Sequence, residues 1–211
     1  MRKLKYVFAL SLVCICLGNS YCSPTGLNII PTADVLEKDV FMVETPYSGG
    51  MRFGPEGDSY VLLQIGAGNG VEVGVDQRIE DGHLDAWMNA KWRCLEEDGG
   101  RPAVAIGVQN FSRNTEKQPY LVMSKSFKPA RLHAGVIKME GVSSVMLGFD
   151  KTLSPKFAVQ ADYISGEENG LTAGFRLQIG KTATLWAAHS FPNSSATKPD
   201  YFIRLGWNAT F

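Results

Sequence analysis

The stretch "YFIRLGWNATF" occupies residues 201–211, and its reading decides the fold. Tyr201, Ile203, Leu205, Trp207, Ala209 and Phe211 fall at every second position, with Phe202, Arg204, Gly206, Asn208 and Thr210 between them. Side chains on a β-strand alternate between its two faces, so this period of two makes one face wholly apolar and the other mostly polar. Gly206, Asn208 and Thr210 are poor helix formers, which disfavours a helix. Two kinds of sheet use such a strand. In a soluble sandwich or barrel the apolar face turns inward, and in a membrane barrel it turns outward to lipid.

The same alternation recurs upstream. Val71, Val73 and Val75 alternate with Glu72, Gly74 and Asp76; Leu84, Ala86, Met88, Ala90 and Trp92 alternate with Asp85, Trp87, Asn89, Lys91 and Arg93. Leu171, Ala173, Phe175, Leu177 and Ile179 oppose Thr172, Gly174, Arg176 and Gln178. Gly, Pro, Asn and Asp clusters separate short strand-like segments, and no amphipathic helix interrupts them, so the chain is all-β. The pattern predicts twelve strands, with ten as the nearest alternative: 38–46, 59–66, 70–79, 84–95, 102–111, 119–127, 131–139, 142–150, 155–164, 170–179, 182–190 and 200–211. At about ten residues each they have the length of tilted membrane strands, about 9–11 residues.

The opening "MRKLKYVFALSLVCICLGNSYCSPTG" has a basic start, an apolar run from Tyr6 to Leu17 and then small and polar residues. It reads as a signal peptide over residues 1–22, with cleavage at about 20–22. Its apolar run is shorter than the roughly 20 residues of a spanning helix, so a membrane protein of this sequence must be a closed barrel. Residues 23–37 then form a separate N-terminal periplasmic or plug segment, and 38–211 the barrel. Cys14 and Cys16 belong to the signal, leaving at most Cys22 and Cys94, too few for a disulfide framework or a cysteine zinc site. Lys plus Arg equals Asp plus Glu at 21 each, so no overall field invites nucleic acid.

Three features favour the membrane barrel. Tyr201, Ile203, Leu205, Trp207 and Phe211, ending on a bare aromatic, resemble the C-terminal assembly signal of bacterial outer-membrane proteins. That resemblance implies the barrel-assembly machinery and outer-membrane lipid as partners. Loops such as "SGGMRFGPEGD", "SRNTEKQ" and "FPNSSATKPD" alternate with tight turns such as "AGN", "KPA" and "GK", the rim asymmetry of such barrels. Tyr60, Tyr120, Tyr163, Tyr201, Trp92 and Trp207 are placed for an interfacial girdle. Under this reading Glu72, Asp76, Arg78, Asp85, Lys91, Arg93, Arg131, His133, Asp162, Arg176 and Arg204 point into the lumen, as a salt-bridged, wet interior or as a small polar pore or sugar-binding channel.

No chemistry stands out. "QIGAGNGVEVG" has Val71 where a nucleotide-binding turn needs its third glycine, and Asn69-Gly70 reads as a hairpin turn. His189 and Ser190 are neighbours and point to opposite faces of a strand, and His133 has no nucleophile near it in sequence. His83 lies in the turn "EDGH". The carboxylate runs Glu96-Glu97-Asp98 and Glu167-Glu168 sit in Gly-rich connections. The expectation is a non-enzymatic protein with no catalytic, cofactor or metal residues. The rivals are an outer-membrane lipid-modifying hydrolase, which needs a Ser, a His and a carboxylate to converge, and a soluble secreted β-barrel carrying an apolar ligand.

Gly26, Ile30, Pro31, Thr32, Ala33 and Leu36 in "SPTGLNIIPTADVLEKDVFMVE" resemble the entry segment of the YjbH-like family of outer-membrane barrels, linked to exopolysaccharide production. "MLGFDKTLSPKFAVQADYISGEENGLTAGFRLQIG" is similar to that family's strand pairs, with Asp162-Tyr163 and Asn169-Gly170 at matching places. The resemblance implies a short single-barrel member in the bacterial outer membrane, supporting exopolysaccharide export or cell-surface structure, with polysaccharide-export components as partners. It carries no catalytic residues.

Overall fold

A computed structural model describes residues 24–48, 59–80, 83–112 and 116–211, without the side chains of 47, 48, 59, 60, 78–80 and 83–85. The signal segment, its cleavage site, the loop "SGGMRFGPEGD" and the side chains of Tyr60, Arg78, His83 and Asp85 therefore lie outside the described residues.

Twelve antiparallel strands close into one barrel: β1 Val40–Ser48, β2 Ser59–Gly68, β3 Val71–Glu80, β4 His83–Leu95, β5 Ala103–Phe111, β6 Gln118–Ser126, β7 Arg131–Met139, β8 Val142–Ser154, β9 Phe157–Ile164, β10 Gly170–Ile179, β11 Ala183–Pro192 and β12 Asp200–Thr210. Each strand pairs with its sequence neighbours, and β12 returns to β1 in full register from Val40↔Thr210 to Ser48↔Phe202. Closure removes both free edges, with the shortest ladder between β1 and β2, from Phe41↔Ile65 to Glu44↔Leu62. Among the described residues there is no helix. The strands lie within four residues of their expected bounds; the largest difference is β8, which runs on to Ser154.

Turn chemistry sets the registers. Asn69 and Gly70 take φ of 52° and 75°, the left-handed geometry of a two-residue hairpin turn, and Glu140 and Gly141 repeat it at the opposite rim with 49° and 77°. Four short connections, 69–70, 127–130, 155–156 and 180–182, share the rim that holds both Val40 and Thr210, while residues 165–169 and 193–199 belong to the other rim. "EEDGGR", a long link on the short-turn rim, is held by an Asp98–Arg101 ion pair of 2.8 Å and a backbone bridge between the same residues.

Alternation now has a direction. Ile203 is 43% exposed and Leu205 48%, while Arg204 between them and Glu44 beside it are buried. Val73, Met88, Ile106, Leu121, Leu132, Val136, Val145, Leu147 and Leu171 also face outward. Glu72, Asp76, Asn89, Lys91, Ser124, His133, Gln160, Asp162 and Thr172 face inward and are buried. Polarity is thus inverted relative to a soluble barrel, and the soluble carrier of an apolar ligand does not fit. Trp92, Trp207, Phe211 and Phe41 ring the outside of the short-turn rim, with the Phe41 and Phe211 ring centroids 6.4 Å apart.

The interior departs from a uniformly wet, ionic lumen. Ala103, Ala105, Tyr120, Val122, Ile137, Met146 and Ile164 point inward and form an apolar cluster with Leu27, Ile30 and Ala33 of the N-terminal segment. Tyr120 belongs to this cluster and not to the outer girdle, because its place in β6 shares the parity of Val122 and Ser124. A lumen filled by its own chain needs apolar wall where that chain presents apolar side chains.

Candidate functional site

The site is the lumen and the segment that fills it. Residues 25–32 fold into a tight hairpin: Leu27 N–H donates to Ile30 O at 3.0 Å, Thr32 N–H to Thr25 O at 3.2 Å, and Gly26 pairs with Pro31 as an isolated antiparallel bridge. Gly26 is required by the closeness of this turn, since a Cβ there would overlap the carbonyl of Ile30. Pro31 donates nothing and needs no partner. The motif residues Gly26, Ile30, Pro31, Thr32 and Ala33 thus lie together inside the barrel.

The hairpin tip is gripped by Asp162. One oxygen, Oδ2, accepts the backbone N–H groups of Asn28 and Ile29 at 2.8 Å and of Ile30 at 3.2 Å, while Oδ1 accepts the Thr172 hydroxyl. Successive amides converging on one anion form a nest, here with a carboxylate of the wall as the anion. Gln160 Nε2 donates to Asn28 Oδ1 at 2.6 Å, and Arg204 Nη2 donates to Leu27 O at 2.7 Å. Arg204 also pairs with Glu44 at 3.3 Å and stacks over Trp186 at 4.8 Å.

The hairpin base is gripped by Glu72 and Lys91. Glu72 accepts the Thr25 N–H and hydroxyl and the Leu36 N–H; Lys91, 1% exposed, donates to Thr25 O at 2.8 Å and lies 3.4 Å from Glu72. Removing both ions from water is costly, and the surrounding hydrogen bonds are what make the burial tolerable. Asp34 takes Arg131 Nη1 with both oxygens at 2.7 and 2.6 Å. Burial works against the Asp34 carboxylate, but the Arg131 hydrogen bonds and charge, with Lys91 and His133 farther off, outweigh it and hold its pKa below the usual value.

Between base and tip, Ser124 Oγ accepts Ala33 N–H at 2.9 Å and lies 2.7 Å from His133 Nδ1; His133 Nε2 lies 2.9 Å from Asp150 Oδ1. A Ser, a His and a carboxylate therefore do converge, in a constellation that sequence proximity did not suggest. The tight turn at 127–130 fixes Ser126↔Arg131, which sets Ser124 opposite His133, and the turn at 140–141 brings Asp150 to the next row. The group is arranged as a latch. Ser124 is fully buried and its hydroxyl already accepts the Ala33 amide, so the plug occupies the place a substrate would need.

Of the other expected lumen residues, Asp76 is buried and accepts Asn89 Nδ2 at 2.5 Å. Arg93 reaches the short-turn rim and Glu96 at 3.0 Å. Arg176 stands in a rim-side chamber and is exposed within it. His189 lies on the outer face against Phe191, their centroids 4.6 Å apart. Thr25, Asn28, Asp34, Glu44, Ser124, Gln160 and Thr172 were not singled out by sequence, since a single polar residue on an inward parity carries no mark of what it will meet. Among the described residues no group of three His, Cys, Asp or Glu side chains is placed to hold a metal.

No family model matches the chain, and no curated protein matches it in sequence. Solved structures do resemble it. The KdgM porin superposes with a TM-score of 0.58 at 10% identity, covering 80% of this chain and 98% of that one. The KdgM porin in complex with disordered oligogalacturonate gives 0.56 at 10% identity, covering 82% and 99%. The NanC porin gives 0.50 at 13% identity, covering 81% and 99%. At these identities the likeness is one of fold: a closed twelve-stranded barrel of the porin kind.

Proposed function

We propose that this chain is a non-enzymatic barrel of the bacterial outer membrane, shut by its own N-terminal hairpin, which supports export or surface attachment of a polysaccharide as a narrow, gated conduit. The observation that carries the reading is the inverted polarity of the wall: an apolar exterior banded by aromatics is stable only against hydrocarbon, and buried ions are stable only in a paired interior. The porin-type fold agrees with this location. The entry segment's likeness to YjbH-like barrels supports the polysaccharide role. Both chain ends and the short turns then face the periplasm, and the hairpin enters from that side. The Ser124–His133–Asp150 chain holds the plug and performs no hydrolysis.

Cell fractionation tests the location. The protein is expected in the outer-membrane fraction, released by detergent and migrating faster unheated than heated; recovery in soluble periplasm overturns the proposal. Deleting the protein is expected to lower surface polysaccharide while leaving the acyl composition of envelope lipid unchanged. A changed acyl pattern with unchanged polysaccharide selects the hydrolase reading instead.

A further inference from the structure

The outer wall of the barrel is not evenly filled. Across β6, β7 and β8 the register Met123↔Ala134↔Leu147 sets one methyl group between two long apolar side chains, all on the outward parity. A depression of about 410 Å³ lies there, bounded by Pro102, Met123, Leu132 and Leu147. No described residue of the plug lines it, and Met123, Leu132 and Leu147 are exposed, so it opens on the outside. Ala134 lies four residues from Ala130 at the short-turn rim. That is about 13 Å of strand at 3.3 Å per residue, or about 10 Å of depth at a tilt near 40°. One leaflet offers about 15 Å of hydrocarbon, so the depression sits at the level of acyl chains.

Charge collects at the rim end of the same strands. Lys128, in the 127–130 turn, and Lys151 have no ion-pair partner among the described residues. Lys151 shares the outward parity of Leu147 and follows the Arg131↔Asp150 pair by one residue, which sets it beside that turn. Lys125 is already spent: it lies 3.3 Å from Glu97 and donates to Gly99 O and Arg101 O. Glu97, which accepts the Ser126 N–H and hydroxyl, is met by Lys125 and by Arg131 at 3.6 Å. Lys128 and Lys151 are therefore the uncompensated charge of this stretch of rim. Phe127 and Leu153, both exposed, flank them with apolar surface, as residues at a headgroup boundary do.

We propose that the depression seats one acyl chain of an anionic phospholipid from the periplasmic leaflet, with Lys128 and Lys151 meeting its phosphate. Apolar contact alone accepts any chain of suitable length. The two cations add a choice of headgroup charge, about fivefold for each lysine near a membrane surface. The inference rests on the outer-membrane reading for the presence of a bilayer and for the leaflet that the short-turn rim meets.

The test uses the full mature protein in detergent, titrated with phosphatidylglycerol or phosphatidylethanolamine of identical chains, with bound lipid counted by native mass spectrometry. One phosphatidylglycerol is expected to bind about fivefold or more tightly than phosphatidylethanolamine. Lys128→Gln and Lys151→Gln should each weaken it by about fivefold, and Lys181→Gln, in the 180–182 turn of the same rim, should leave it unchanged. Ala134→Leu fills the depression with a side chain that suits lipid, so it should keep the heat-modifiable fold and abolish the tight binding. Equal affinity for the two lipids, undiminished binding in Ala134→Leu, an equal loss in Lys181→Gln, or competition by the deacylated headgroup as strong as by the lipid overturns the site. If the protein fractionates with the outer membrane and still retains no phosphatidylglycerol, the lipid site alone fails; if it is soluble, the location fails independently.

Discussion

Two sides of the same lumen are built to opposite rules. On β5 to β8 most inward positions, Ala103, Ala105, Tyr120, Val122, Ile137 and Met146, pack against Leu27, Ile30 and Ala33, with Ser124 and His133 as polar exceptions that hold the Ala33 amide. On β10, β11 and β1 they include Arg176, Gln178, Thr184, Trp186 and Glu44, and they line a cavity. Both are inward faces of antiparallel strands with the same pleat, so parity alone does not determine what a lumen position must be. What decides is whether the hairpin reaches it. Where plug side chains arrive, hydrophobic contact replaces water; where only its backbone passes, ions and amides remain.

Breaking the ionic grip at the base of the plug is expected to have the largest effect. Lys91→Met leaves Glu72 buried without its cation, a loss of about 3–5 kcal/mol for removing one member of a buried pair. Hydrogen exchange at the amides of residues 25–36 should accelerate strongly and bilayer conductance should rise; unchanged exchange there would separate the plug from this pair.

Next comes the hairpin itself. Gly26→Val forces a side chain into the Ile30 carbonyl and should cost about 1–3 kcal/mol as overpacking, freeing the amides of Asn28, Ile29 and Ile30 from Asp162. By contrast, Arg176→Gln on the open side should leave plug exchange as in the wild type. Equal loosening by the two variants would erase the distinction between the walls.

The smallest effect is that of acid on Asp34. Its folded pKa is lowered, so its stabilising contribution is present above the unfolded value of about 3.9 and is lost as pH falls through the folded value. Exchange protection near residue 34 should stay level from neutral pH to about 5 and fall only below about 4; loss of protection between pH 8 and 6 would place the sensitive group elsewhere.

The barrel was legible in the sequence because a wall with one apolar face imposes a strict period: Val71 to Val75, Leu171 to Ile179 and Tyr201 to Phe211 repeat it, and Asn69-Gly70 marks a turn whose geometry few other residues accept. Lumen facing was legible for Glu72, Lys91, His133, Asp162 and Arg204 by the same parity. Their partners were not. Asp162 binds backbone amides more than 130 residues away, and backbone donors have no signature in composition. Ser124 and His133 are joined only through cross-strand register, which becomes countable once the 127–130 turn is fixed. Tyr120 was misplaced because an aromatic near a strand end suits a girdle and a packed lumen equally, and only the plug's course distinguishes them.

Fluorescence of single-tryptophan variants in vesicles of brominated lipid tests the inverted wall most directly. With the other tryptophans replaced by Phe, Trp207 and Trp92 should be strongly quenched by bromine on the acyl chains, and Trp186 should not. Strong quenching of Trp186 with Trp207 and Trp92 left bright would contradict an outward apolar face.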